Sequence, residues 1–278
     1  MVENTRSLMS FFSNFSRKRD TPLKKSIFNR LPISHKKVIS NTIDYASARA
    51  RDLNDIDYLG ISTEKLALFL GKYPYSFSKR QKSILVYRQS KQIIESMPID
   101  EFEAKMEIKY TDSLIFNSPK TLYYFAQKCQ RKINKEQNSQ MNKWIFALFK
   151  KELELEKEHL VFIKFINRYL GYGVFAAKDI PGLSYIGEYT GLIYQRNKRK
   201  NRYNDYIFSY DLCGKATRYC IDASEIGNYT RYLNHSDRPN LTSRWMIKDG
   251  ISHIIFFSNK NIKKGDQLTY CYGPWYWR

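Results

Sequence analysis

From Leu160 onward the chain stops repeating at helical spacing and breaks into short β-rich pieces, each cut off by Gly, Asn or Asp. Leu160–Ile166 opens this part as a compact apolar run. Leu183–Tyr189, Tyr206–Tyr210, Arg218–Asp222, Leu241–Lys248 and Ile251–Phe257 follow as further expected strands. Asp249-Gly250, between the last two, is a tight-hairpin signal, because a two-residue turn of the right twist needs positive φ. Pieces this short do not build one extended sheet. The end of the chain is therefore expected to be a compact domain of several small sheets.

Upstream the pattern is different. Met1–Ser40 is rich in Ser, Asn and charge, densest at Arg17-Lys18-Arg19 and His35-Lys36-Lys37, and reads as a basic segment with little structure of its own. Residues 41–158 read as a helical domain. Ile43, Ala46, Ala50 and Leu53 recur at helical spacing, as do Leu122, Ala126, Cys129 and Ile133. Met141, Trp144, Ile145, Leu148 and Phe149 mark one face of a further helix. Ser78 with Gln81, and Asp100 with Glu103, have the spacing of capping boxes. The expected organisation is thus a basic segment over 1–40, a helical domain over 41–158 and a β-rich domain over 159–278, an α+β chain.

Composition narrows the chemistry. Of 278 residues, 42% are hydrophobic and 15% aromatic, enough to build a core, and the formal net charge is +20. That excess suits a polyanionic partner such as DNA, and also a merely soluble basic protein. Four cysteines, Cys129, Cys213, Cys220 and Cys271, show no paired spacing, so neither a zinc cluster nor a disulfide framework is expected. No run approaches the roughly 18 apolar residues of a membrane span, and no cleaved signal peptide is expected.

Four segments of the β-rich part carry candidate chemistry. Gly171-Tyr172-Gly173-Val174-Phe175 reads as a glycine-rich turn after a strand, where the backbone approaches a ligand closely. Tyr185–Gly191 reads as a strand ending at a glycine. Arg231–Asn240 packs Asn234, His235, Ser236, Asp237 and Asn240 into a loop without a period. In Gly265–Gly273, Tyr270 and Tyr272 stand two apart on an extended segment and so face one side. Taken singly, each has a bland reading: a turn, a strand, a capped loop, a packing stripe. A cysteine hydrolase using Cys271 and His235 is a distant alternative.

Taken in order, GxGxF, YxGEYxG, RxxNHSxxPN and LTYxYG, with Ile221-Asp222-Ala223 ahead of Gly227-Asn228, resemble the SET-domain protein lysine methyltransferase family. The resemblance covers Leu160–Gly273 and none of the helical part. It implies several short curved sheets in which the NHS segment is threaded, knot-like, through a loop of the following chain. It also implies S-adenosyl-L-methionine as cofactor and no metal. By the same resemblance Gly171, Tyr172 and Gly173 contact the methionine part of the cofactor. Asn234 and His235 hold its adenosine part with Arg231 buttressing them, and Trp275 stacks on adenine. Tyr206 lies beside cofactor and channel, Tyr272 is the catalytic tyrosine, and Tyr270 limits how many methyl groups fit.

Asp237 stands where many members carry a zinc-binding cysteine, and no cysteine follows Cys271. These departures liken the chain to bacterial-type members without a zinc-binding tail, and its last residues are expected to close the channel. The implied substrate is a lysine-containing protein, a histone or histone-like protein first. A basic enzyme meets a basic tail in one of two ways: Glu188, Asp205, Asp211 and Asp222 make the peptide groove acidic, or the basic surface docks on DNA or a nucleosome, with Arg196–Arg202 the candidate contact and a solvated loop its bland reading. A cytoplasmic protein of the producing cell, delivered as a bacterial effector into a host nucleus, falls within the same resemblance. The competing reading is a non-catalytic basic SET-like module.

Overall fold

The computed structural model describes residues 83–133, 140–145, 147–149, 160–197, 201, 203–248 and 250–273. The basic segment over 1–40, the first part of the expected helical domain with Ser78 and Gln81, Lys198–Lys200, Arg202, Asp249, and the last residues with Trp275 lie outside them.

Along the chain come strands β1 (Ser83–Arg88) and β2 (Ile93–Pro98), helix α1 (Ile99–Met106), strands β3 (Lys109–Tyr110) and β4 (Ile115–Phe116), and helix α2 (Pro119–Ile133). Residues 140–145 and 147–149 are helical. Then follow β5 (Val161–Asn167), β6 (Gly171–Ala176), β7 (Tyr185–Glu188), β8 (Leu192–Gln195), β9 (Ile207–Leu212) and β10 (Lys215–Asp222). The last elements are β11 (Ile226–Gly227), a 3-10 turn (Tyr229–Tyr232), β12 (Asn234–His235), β13 (Leu241–Lys248), β14 (Ile251–Ser258) and β15 (Gln267–Tyr270).

Among the described residues the strands form four small sheets: six strands in the order β12-β15-β6-β5-β1-β2, four in the order β4-β8-β10-β9, three in the order β13-β14-β7, and the pair β11-β3. The expected hairpin pairing of β13 with β14 is there. Lys248 faces Ile251 across it, and Gly250 takes φ +71°.

Residues 83–133 differ from the helical domain expected over 41–158. They hold four strands and two helices, and β1 runs parallel to β5 with Leu85 facing Phe162 and Val86 facing Ile163. Ile84, Val86 and Phe102 share one buried core with Ile163, Val174 and Leu268. The physical reason is that a six-residue apolar strand is too short to declare a period, and its parallel partner comes only after a long crossover. The Asp100–Glu103 capping box does not form. Pro98 caps α1 without a side-chain bond, and Glu103 Oε1 instead accepts the Tyr110 N–H at 2.6 Å.

The expected apolar face of α2 is buried at Leu122, Ala126 and Cys129. Beside them Phe125 meets Tyr210 of β9 edge-on at 4.8 Å. On the helical residues 140–145 and 147–149, Ile145 and Phe149 are buried against Tyr185, Met246, Ile255 and Phe257, whereas Met141 and Trp144 are 45% and 52% exposed. The helix is rotated because Asn142 occupies the inward face. Its amide donates to the Ile247 carbonyl (3.1 Å) and accepts the Ile247 N–H (2.7 Å), standing in for a strand neighbour at the edge of β13.

Candidate active site

The six-stranded sheet brings three of the four motif segments together. β15 lies between β6 and β12: Leu268 faces Val174 on one side, while Thr269 and Tyr270 face Asn234 and His235 on the other. Asn240 fastens this join. Its Nδ2 donates to the Gln267 carbonyl (2.8 Å) and its Oδ1 accepts the Thr269 N–H (2.9 Å). The Gly171–Ala176 segment, expected as a turn, is strand β6, and only Gly171 takes a positive φ, +65°.

His235 links the two sides. Its Nδ1 accepts the Tyr272 N–H at 3.1 Å, which leaves the proton of the neutral ring on Nε2, facing Asp237 Oδ1 at 3.1 Å. With both ring nitrogens engaged in this way, and Cys271 exposed on the intervening residue, the arrangement is not that of a cysteine hydrolase. The Tyr272 hydroxyl donates to the Leu233 carbonyl at 2.8 Å. Thus the tyrosine is oriented at both ends by the segment that carries Asn234 and His235.

A second chain of contacts runs from the glycine segment to Tyr206. Asn234 Nδ2 donates to the Tyr172 carbonyl (3.1 Å), and the Tyr172 ring lies 5.7 Å from that of Tyr232. Arg231 sits 5.0 Å over Tyr232 and 3.7 Å over Tyr206, bonding the Tyr232 hydroxyl and the Ser224 carbonyl. Burial pushes the Tyr232 hydroxyl up to about 12, with Arg231 pulling the other way, so it stays protonated at neutral pH. Arg231 Nε is buried with no hydrogen-bond partner among the described residues. At Gly171 an added Cβ would project into open space. A bare backbone, half-buried aromatic faces, an amide and an imidazole fit a ligand that joins an amino-acid end to a flat heterocycle.

The aromatic walls include residues not singled out in the sequence. Tyr270 lies 4.7 Å from Tyr272, 4.9 Å from Phe256 and 5.9 Å, stacked, from Phe208. Tyr189 meets Phe208 at 5.2 Å, and its hydroxyl donates to the Tyr206 carbonyl at 2.8 Å. The Phe208 ring had a sequence signal: it stands two residues after Tyr206, hence on the same side of an extended chain. Phe256 had none, because every residue of β14 is buried and no alternation marks its face.

The acidic groove expected from four carboxylates is not built as such. Glu188 is buried and joined to Lys248 Nζ (3.2 Å) and to His253 Nδ1, so it belongs to the interior. Asp222 accepts bonds from Tyr194, Asn204 and Ser224. Burial opposes its charge, yet these bonds outweigh burial and hold its carboxyl below the usual range. Asp211 is half-buried, and burial raises its carboxyl. Asp205 is exposed.

Residues 171–273 match the family model of the SET domain, and over those residues the chain is a SET domain. It is 36% identical over 108 residues to histone-lysine N-methyltransferase MEDEA of Arabidopsis thaliana, covering 37% of this chain and 16% of that protein. To human histone-lysine N-methyltransferase EHMT1 it is 34% identical over 119 residues, 40% of this chain and 9% of that one. The chain therefore spans only a small fraction of the length of these curated relatives. A solved structure of Arabidopsis thaliana SUVH6 in complex with SAM overlaps 41% of this chain and 28% of that chain at 29% identity, with a TM-score of 0.37.

Proposed function

We propose that the chain is an S-adenosylmethionine-dependent protein-lysine N-methyltransferase acting on histones or histone-like chromatin proteins. The observation that carries this reading is the seating of β15 between β6 and β12, which joins Gly171–Gly173, Asn234–His235 and Tyr270–Tyr272 at one place. The histone preference is supported by the names of the relatives.

When bound, the cofactor supplies an electrophilic methyl group. Gly171, Tyr172, Asn234 and His235 would hold it, with Arg231 packed behind Tyr206. The chain's own residues then do two things. Tyr270, Phe208 and Phe256 shed water from an entering lysine, and desolvation disfavours the ammonium form whose ordinary pKa is about 10.4. The Tyr272 hydroxyl, oriented by the Leu233 carbonyl, fixes the amine, and such orientation is worth roughly 7–11 kcal/mol in favourable cases. The deciding experiment is transfer of labelled methyl groups to core histones and a panel of other basic proteins. Label on histone lysines supports the reading. Cofactor binding without transfer to any protein would favour the non-catalytic module instead.

Two further expectations belong here. The Tyr270 hydroxyl occupies room that a methylated amine needs to turn, so the native enzyme should stop at one or two methyl groups and Tyr270→Phe should shift product toward three. Intact-mass analysis reads this directly, and an unchanged distribution in the variant defeats it. The run Arg196–Arg202 should also contact DNA. Neutralising Lys198, Arg199, Lys200 and Arg202 should lower the slope of log affinity against log salt by about 0.9 for each phosphate that is no longer neutralised. Duplex titration at several salt concentrations tests this, and equal slopes for variant and native chain rule out DNA binding by this run.

A further inference from the structure

Asp222 closes β10, and four donors converge on its carboxylate. Oδ2 accepts the Tyr194 hydroxyl at 2.6 Å and Asn204 Nδ2 at 3.0 Å. Oδ1 accepts the Ser224 N–H at 2.9 Å and the Ser224 hydroxyl at 2.7 Å. Each oxygen begins a route that ends on Tyr206. From Oδ2 the route passes through Asn204, whose Oδ1 accepts the Tyr206 N–H at 3.0 Å. From Oδ1 it passes through Ser224, whose carbonyl accepts Arg231 Nη2 at 3.2 Å, with the guanidinium 3.7 Å over the Tyr206 ring. Between the two, the Ala223 N–H donates to the Tyr206 carbonyl at 3.0 Å.

We propose that Asp222 is a positioning residue of the methyl-transfer site, holding the backbone of Tyr206 through Asn204 and its ring through Ser224 and Arg231. The kinetic consequence rests on the methyltransferase reading; the geometry does not. With an amide donor at 204, a carboxylate suits the position, because it is acceptor-only at both oxygens. An asparagine there would turn an amino group toward one pair of donors. The depressed carboxyl of Asp222 agrees, since it keeps both oxygens free of a proton at neutral pH. The same oxygen that reaches Asn204 also ties down the loop before β9, for the Tyr194 hydroxyl accepts Asn201 Nδ2 at 2.6 Å. Loop and channel tyrosine therefore share one anchor.

The test uses the full chain with three variants: Asp222→Asn, Asn204→Ala, and the exchange Asp222→Asn with Asn204→Asp. In the exchange, the new amide at 222 donates to the new carboxylate at 204, whose second oxygen still accepts the Tyr206 N–H. Amide hydrogen exchange at Tyr206 should speed up by about tenfold or more in both single variants, because local opening becomes easier. Turnover on histone should fall by about 10- to 100-fold, the range that follows a misplacement on the order of 1 Å. The exchange variant should recover most of both, to within about tenfold in rate, because the Tyr194 hydroxyl must turn from donor to acceptor at the new amide. Asn204→Ala cuts one route on a half-buried loop, so it gives an answer even where Asp222→Asn fails to fold. Unchanged protection of Tyr206 in Asn204→Ala overturns the proposal. So does an exchange variant that regains thermal stability without regaining Tyr206 protection. A native chain that methylates no protein defeats the methyltransferase reading alone, and the hydrogen-exchange comparison still decides the role of Asp222.

Discussion

Replacing Tyr272 by phenylalanine should lower turnover by about 10²- to 10³-fold, the usual cost of removing one preorganised polar group from a reacting centre. The ring itself should stay in place. It packs 4.7 Å from Tyr270 and 5.4 Å from His235, and its backbone N–H is held by His235 Nδ1 at 3.1 Å. The hydroxyl and its 2.8 Å bond to the Leu233 carbonyl are removed. Cofactor affinity should therefore change by less than about threefold, separating chemistry from binding. Single-turnover methyl transfer alongside calorimetric titration of the cofactor measures the two effects. A variant that turns over at the native rate would remove Tyr272 from the mechanism.

Replacing Glu188 by glutamine should destabilise the chain by about 3–5 kcal/mol, because it breaks the buried ion pair with Lys248 by removing one of the two partners. The side chains of Glu188, Lys248 and His253 are only 4%, 10% and 2% exposed, so water cannot take over for the missing carboxylate. For a domain of this size the thermal midpoint should drop by on the order of 10 °C. Adding Lys248→Met should recover part of the deficit by removing the other half of the broken pair. Thermal unfolding followed by circular dichroism distinguishes these outcomes, and a drop of only a degree or two would show that the cluster is not the buried ion pair described. The backbone of Glu188 gives the cluster a wider reach. Its carbonyl accepts Asn228 Nδ2 at 2.9 Å and the Thr230 hydroxyl at 3.1 Å, which seat the turn leading to Leu233 and Asn234.

What the sequence declares is local. The hairpin of Leu241–Lys248 and Ile251–Ser258 was legible because a two-residue Asp-Gly turn separates two apolar runs. Tyr270 and Tyr272 were legible as a pair by their spacing, and their company by the motif resemblance. What stayed hidden is non-local. The pairing of Asn234 with Thr269 leaves no periodic trace, and neither does that of Leu85 with Phe162. Glu188 was misplaced for a related reason. A carboxylate in a strand looks solvent-facing until the lysine and histidine that face it from β13 and β14 are known. Asn240 read as a loop residue, and Asn142 drew no notice inside an expected helix. In the fold each uses its amide to complete the edge of a strand, a role that depends wholly on where the strand ends up.

Among the described residues the four parallel pairings, β1 with β5, β3 with β11, β4 with β8 and β12 with β15, all join stretches widely separated along the chain. Three of them draw one or both partners from ahead of the residues that match the SET model. A fragment trimmed to that match would lack β5 as well as β1, leave an unsatisfied ribbon along β6 and uncover the flanks of β8 and β11, inviting self-association through raw edges. For anyone dissecting this molecule, the smallest autonomous unit must reach back at least to Ser83.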